Sequence, residues 1–160
     1  MPFGDGTNRE DTMQTEHPSG RLTSHAAVTE FMMAGNATLT LKSERTGNRF
    51  TYRIRKSEDG NVHFVALLAG SDNESSFQYL GFIRDRAYSH GRKSRISETA
   101  PAAMAFHWFH ANLQTRRLPA ELQVWHEGKC GRCGRKLTVP ESIERGLGPE
   151  CAGLVCEEAA

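Results

Sequence analysis

Apolar and polar positions alternate with a period of two through the middle of the chain, and a helical period appears on either side of it. Leu39 and Leu41 alternate with Thr38, Thr40 and Lys42. After a Thr46-Gly47-Asn48 turn, Phe50, Tyr52 and Ile54 alternate with Thr51, Arg53 and Arg55. Each run predicts a half-buried strand, with Arg53 and Arg55 on one exposed face. Asp59-Gly60 predicts a hairpin turn into Val62–Ala69, where both parities are mostly apolar. That run predicts a central strand covered on both faces. Residues 70–75 form a polar loop, and Phe77–Arg84 is a further strand of similar character. Connections this short join neighbours antiparallel, which predicts a meander of about four strands.

Upstream, Ser24 is placed to cap a short helix over His25–Met33, with Ala27, Phe31 and Ala34 on one side and Gly35-Asn36 as its stop. Downstream, Ala102, Ala105 or Phe106, Phe109 and Leu113 recur at helical spacing within 101–114. Leu122, Val124 and Trp125 predict a last strand. The expected fold is therefore α+β: an antiparallel sheet of about four to five strands, helices packed on one face, and a small C-terminal zinc-knuckle, treble-clef-like module. Residues 1–23, polar and aperiodic, are expected to be a disordered arm. The remaining boundaries are a domain over 24–125, a zinc-binding module over 126–156 and a tail over 157–160.

The module rests on spacing. Cys130 and Cys133 stand two residues apart with Gly131 and Gly134 beside them, so the chain can curl until both sulfurs point inward and backbone N–H groups donate to them. Cys151 follows a Gly-Leu-Gly-Pro turn, where Pro149 can open a helix whose positive end favours a thiolate. His126, three residues before the knuckle, is the expected fourth ligand, and Cys156 is its alternative. Cys156 would lie roughly 140° around a helix from Cys151, at about 100° per residue, which makes it hard for one ion to reach both. A thiolate-rich set of four is closed and structural, so the expected cofactor is a structural Zn²⁺. A redox pair would need a helix directly after Cys133, and a zinc deaminase would need His-x-Glu with Pro before the cysteine pair; neither occurs.

The run CGRCGRKLTVPESIERGLGPEC, Cys130 to Cys151, resembles a small zinc-finger family of unknown function found in phage and bacterial proteins. Upstream, EFMMAGNATLTLKSERTGNRFTYRIRK, FVALLAGSDN, YLGFI, HGRKSRI and AFHWF are also similar to phage-encoded proteins that carry this finger at the C-terminal end, so the resemblance spans roughly Ala27 to Ala152. It implies a fold and a phage setting, and no reaction.

Composition narrows the function. With 38% hydrophobic residues in 160, the chain can bury a core without disulfides, and no apolar run approaches the ~20 residues of a membrane span. The N-terminal stretch lacks an apolar signal core, so a cytoplasmic location in a bacterial host is expected. Net charge is only +1, but the cations cluster: Arg84, Arg86, Arg92, Lys93 and Arg95 face only Asp85 between 84 and 95. Arg92, Lys93 and Arg95, with Ser94 as an added donor, suit phosphates. Arg53 and Arg55 extend that surface, and Arg132 and Arg135 join it from the knuckle, where cations also offset the thiolates.

Tyr79, Tyr88, Trp108 and Trp125 would suit stacking on bases if exposed, although rings at such spacings usually enter the core. No nucleophile, nucleotide or metalloprotease motif occurs, and no small-molecule substrate is evident. Asp72 and Glu74 alone would be the basis of a metal-dependent nuclease. The expected protein is therefore a non-enzymatic, zinc-binding phage accessory factor that binds nucleic acid or a nucleoprotein through a basic surface. The alternative is a protein–protein inhibitor of a host defence system, of anti-CRISPR or anti-restriction type.

Overall fold

The computed structural model describes residues 20–69, 76–133, 137, 143 and 145–148. Along the chain these form β1 (Arg21–Leu22), α1 (His25–Met32), β2 (Asn36–Ser43), β3 (Arg49–Lys56), β4 (Val62–Leu68), β5 (Phe77–Arg84), β6 (Ala87–His90), α2 (Pro101–Gln114) and β7 (Leu122–His126). The strands make one seven-stranded sheet in the order β1-β7-β2-β3-β4-β5-β6. Every pairing is antiparallel. The α+β class and antiparallel sheet agree with the sequence reading, and the strand count exceeds it by two short edge strands.

Each extra strand has a local reason for having been hidden. The β5–β6 hairpin turns through Asp85 and Arg86, both left-handed at φ 54° and 67°, without the Gly or Asn that usually marks such a two-residue turn. β1 lies within the segment expected to be a disordered arm, yet Arg21 pairs with Trp125 and Leu22 with Val124, and Leu22 is buried. Ordered structure therefore begins before residue 24. Residues 1–19 lie outside the described residues.

Both helices pack on the same side of the sheet. Ser24 caps α1, its Oγ accepting the Ala27 N–H at 3.1 Å, and Val28, Phe31 and Met32 turn inward. α2 starts at Pro101 and buries Ala102, Ala103, Phe106, Phe109, His110 and Leu113. These meet Leu39, Leu41, Tyr52, Ile54, Val65, Ile83 and Val124 in a single core. Phe106 is the hub, its ring centroid 4.9 Å from that of Tyr52, 5.0 Å from Tyr88 and 5.6 Å from Phe109. The fully buried Tyr52 hydroxyl donates to the Ala102 carbonyl at 2.7 Å, joining β3 to the first turn of α2.

One expectation fails here: β4 is not covered on both faces. Phe64 is 46% exposed, and Phe77, Tyr79 and Phe82 of the neighbouring β5 are half-buried. Period-two geometry turns Val65 and Leu67 toward the helices and Phe64, Ala66 and Leu68 away from them. Among the described residues no helix lies on that second face.

Phe106→Ala should cost about 3–5 kcal/mol in urea unfolding, whereas Tyr52→Phe should cost about 1 kcal/mol, the value of one hydrogen bond. A pH dependence is also expected. Burial lowers the His110 pKa, aided by His107; burial lowers that of His63, aided by Lys56 and partly opposed by the bond to the Met33 carbonyl. Both groups therefore bind protons more readily when unfolded, so stability is full above about pH 6.5 and falls as pH drops through the lowered folded values. The urea midpoint should decrease from pH 7.5 to 5.5, and less steeply in His110→Gln.

Candidate zinc knuckle and cationic sheet face

β7 delivers the chain to the knuckle, and backbone contacts dock it against α1 and β2. The Gly131 carbonyl accepts the Asn36 N–H at 2.6 Å, and the Gly131 N–H donates to Gly146 O at 2.9 Å. Both glycines press on Phe31: a Cβ at Gly131 would stand 2.6 Å from its ring, and one at Gly146, where φ is +82°, 2.7 Å from it. Arg145 closes the dock with a two-pronged pair to Glu30 of α1, both contacts at 3.0 Å. A second, small apolar cluster of Cys130, Leu137 and Leu147 lies under this fold-back.

The sulfur of Cys130 is buried and set among donors. The N–H groups of Arg132 and Cys133 approach it at 3.3 and 3.5 Å. Burial pushes its pKa up, but the N–H groups of Cys133, Gly148 and Arg132, with the Cys133 side chain, outweigh that and hold it at about 7. Gly148 thus brings the Gly-Leu-Gly turn onto the first cysteine. Cys133 is exposed, and both cysteines are free. A thiolate held in this way is chemically fit for a metal.

The His126 ring is bonded to backbone on both sides. Its Nδ1 accepts the Gly128 N–H at 2.9 Å, which leaves the proton on Nε2 to be donated to the Ile143 carbonyl. Burial lowers its pKa, with the Ile143 bond and Glu127 acting in the opposite direction. Both ring nitrogens are thereby engaged with backbone. Among the described residues, no three of His, Cys, Asp and Glu converge as a metal-binding group. Cys151, Cys156 and Arg135 lie outside the described residues, as do Asp72 and Glu74.

The predicted basic surface is distributed across one face. Arg53 and Arg55 both point away from the helices from β3, in the middle of the sheet. Arg55 pairs with Asn36 on one side and Phe64 on the other, and Phe64 with Phe82. In the next outward row, Arg53 lies between Thr38 and Ala66, and Ala66 pairs with Tyr79. Burial lowers the Arg53 pKa, with Arg55 adding to this and Glu127 opposing it, but the group stays a cation.

Arg92, Lys93 and Arg95 are exposed on the loop after β6. Ser94 holds that loop to the sheet edge, its hydroxyl donating to Tyr79 O at 2.8 Å, so it is an anchor and not the phosphate donor expected of it. Gly91 allows the close approach, since a Cβ there would stand 2.4 Å from the Tyr79 ring. Arg132, half-buried, follows Gly131 in the knuckle, which packs against Phe31 of α1.

Sequence reasoning missed the outward rings Phe64, Phe77 and Phe82. It also missed an open concavity of about 350 Å³ beyond Arg53, lined by Thr40, Lys42, Arg49, Gln123, Trp125 and His126. A usable signal was present, because two short helices cannot cover both faces of such a sheet. Of the flagged aromatics, Tyr88 enters the core, Tyr79 and Trp125 are half-buried on the outward parity, and Trp108 is 44% exposed on α2.

Residues 120–155, which include β7, the knuckle and Cys151, match a family described as "Family of unknown function (DUF6011)". No curated protein and no solved structure matches the chain.

Proposed function

We propose that this protein is a non-enzymatic, phage-type accessory factor that binds nucleic acid, free or within a nucleoprotein, through the outward face of its sheet. The observation that carries the reading is the placement of Arg53 and Arg55 at the centre of that face, with the exposed Arg92, Lys93 and Arg95 on a loop fastened to its edge. Several cations converging from separate elements are what phosphate binding needs, whereas a single basic run is ordinary surface.

The C-terminal module would be held by a structural Zn²⁺ on Cys130, Cys133 and Cys151. As fourth ligand His126 would have to give up its bonds to the Gly128 N–H and the Ile143 carbonyl, and Cys156 is the alternative. The ion would cross-link a segment whose own apolar cluster is too small to hold it.

A second reading, an inhibitor of a host defence nucleoprotein, has an observation of its own. Met104 and Trp108, one turn apart on α2, are 56% and 44% exposed and form an apolar spot suited to a protein partner.

Two outcomes test the reading. Binding to a labelled duplex or single strand, followed by anisotropy from 50 to 200 mM salt, should weaken steeply, and Arg55→Ala and Lys93→Ala should each reduce the slope by about 1. Absence of binding at every salt concentration overturns it in favour of the protein-partner alternative. Elemental analysis should find one zinc per chain, and chelation should expose amides of 126–148 to hydrogen exchange while leaving the sheet protected. Protein without zinc, or Cys130→Ser with undiminished zinc, would remove the metal from the account.

A further inference from the structure

Apolar rings on a sheet face that carries no helix among the described residues call for an explanation, because such a face ordinarily alternates to polar residues. Here Phe64, Phe77, Tyr79 and Phe82 all take the outward parity of β4 and β5. Phe64 is nearly half exposed and meets Tyr79 edge-on at 6.3 Å between centroids. The next outward β4 position is the small Ala66, cross-strand neighbour of both Arg53 and Tyr79. Two of the rings are already in contact with cations, with the Arg53 guanidinium 4.1 Å from the Phe77 centroid and Arg84 5.6 Å from that of Phe82. Among the described residues, Phe64 and Tyr79 have no cation over them.

We propose that this face is a stacking platform for single-stranded nucleic acid, with unpaired bases on Phe64 and Tyr79 and phosphates on Arg53, Arg55 and the 92–95 loop. This deepens the proposed nucleic-acid reading and rests on it. A duplex hides its base faces in its own stack, so exposed rings give it nothing, whereas every unpaired base offers a π-face to an aromatic side chain. The cations stand beside the rings in register: Arg55 is the direct cross-strand neighbour of Phe64, and Arg53 lies one small residue from Tyr79.

The pattern continues across the sheet. Trp125, on β7, is level with Thr40 and Thr51, three strand intervals across from Phe64 and four residues along, roughly 19 Å on the diagonal, and lines the open concavity with Lys42 and Arg49. An extended strand crossing the β-strands would therefore meet a ring and two cations again. Among the described residues, acids also stand near this face: Glu127 acts on Arg53, Asp59 interacts with Arg84, and Glu44 is occupied by Gln123 and Arg21 at the far edge.

The test uses the full chain and fluorescein-labelled twelve-nucleotide oligothymidine, oligouridine and a twelve-base-pair duplex in 100 mM salt. Wild type should bind one or both single strands at least tenfold more tightly than the duplex. Phe64→Ala and Phe64→Leu should each weaken single-strand binding by about 5- to 150-fold while leaving duplex binding unchanged. Phe64→Tyr should restore it. Phe64 is outside the core, so circular dichroism should match wild type in all three variants.

If the duplex binds as well as the single strands, or the Phe64 and Tyr79→Ala variants bind like wild type, the platform is wrong while the nucleic-acid reading stands. If nothing binds, both fall. Concentration-dependent dimerisation abolished by Phe64→Ala, with no oligonucleotide bound, would make the face a contact between copies of this chain.

Discussion

The constraint from which the rest follows is a shortage of helix. Among the described residues a seven-stranded sheet is served by one helix of eight residues and one of fourteen. Both are drawn to the same side because Phe31, Phe106, Phe109 and Leu113 can bury their surface most completely in one shared core with Tyr52, Ile54 and Val65. Dividing them between the faces would leave two thin layers, neither excluding water. The opposite face is thereby left to whatever side chains the outward parity supplies, and on β3, β4 and β5 these include Arg53, Arg55, Phe64, Phe77, Tyr79 and Phe82.

Topology turns that asymmetry into a platform with two borders. The chain leaves the meander at β6, crosses the covered side as α2, and returns as β7 between β1 and β2 near the far edge. One border is therefore the 91–96 loop, fastened by the Gly91 and Ser94 bonds to Leu80 and Tyr79. The other is the knuckle, hung from β7 and secured by Asn36, Phe31 and Glu30. Glycines make both borders possible, since Gly91 and Gly131 each take a position where a Cβ would collide with an aromatic ring.

Much of this was legible in the residues, and the misses have physical causes. Period-two alternation located β2 and β3, and the helical spacing of Ala102, Phe106, Phe109 and Leu113 located α2, because burial on one side writes itself directly into parity. β6 was missed because Asp85 and Arg86 adopt left-handed conformations without turn chemistry to announce them. The two-sided burial expected of β4 was a misreading of apolar parity, which reports apolarity and not cover. Within the site, the donors around Cys130 followed from the Cys-Gly-Arg-Cys curl. The commitment of His126 to Gly128 and to residue 143 could not be read, because it depends on a fold-back of seventeen residues.

That commitment links the two borders more closely than spacing alone suggests. His126 pairs through its backbone with Leu39, and three residues earlier on the same strand Asn36 both pairs with Arg55 and donates to Gly131. The knuckle is thus one strand away from the central arginine row. A metal-bound set of thiolates there would carry net negative charge, offset locally by Lys129 and Arg132. The proposed ion would tie down the segment whose Gly131 carbonyl accepts the Asn36 N–H, beside the β2 position that pairs with Arg55. In this arrangement the C-terminal module is not an appendage to the sheet: it holds one end of the surface on which the proposed binding depends.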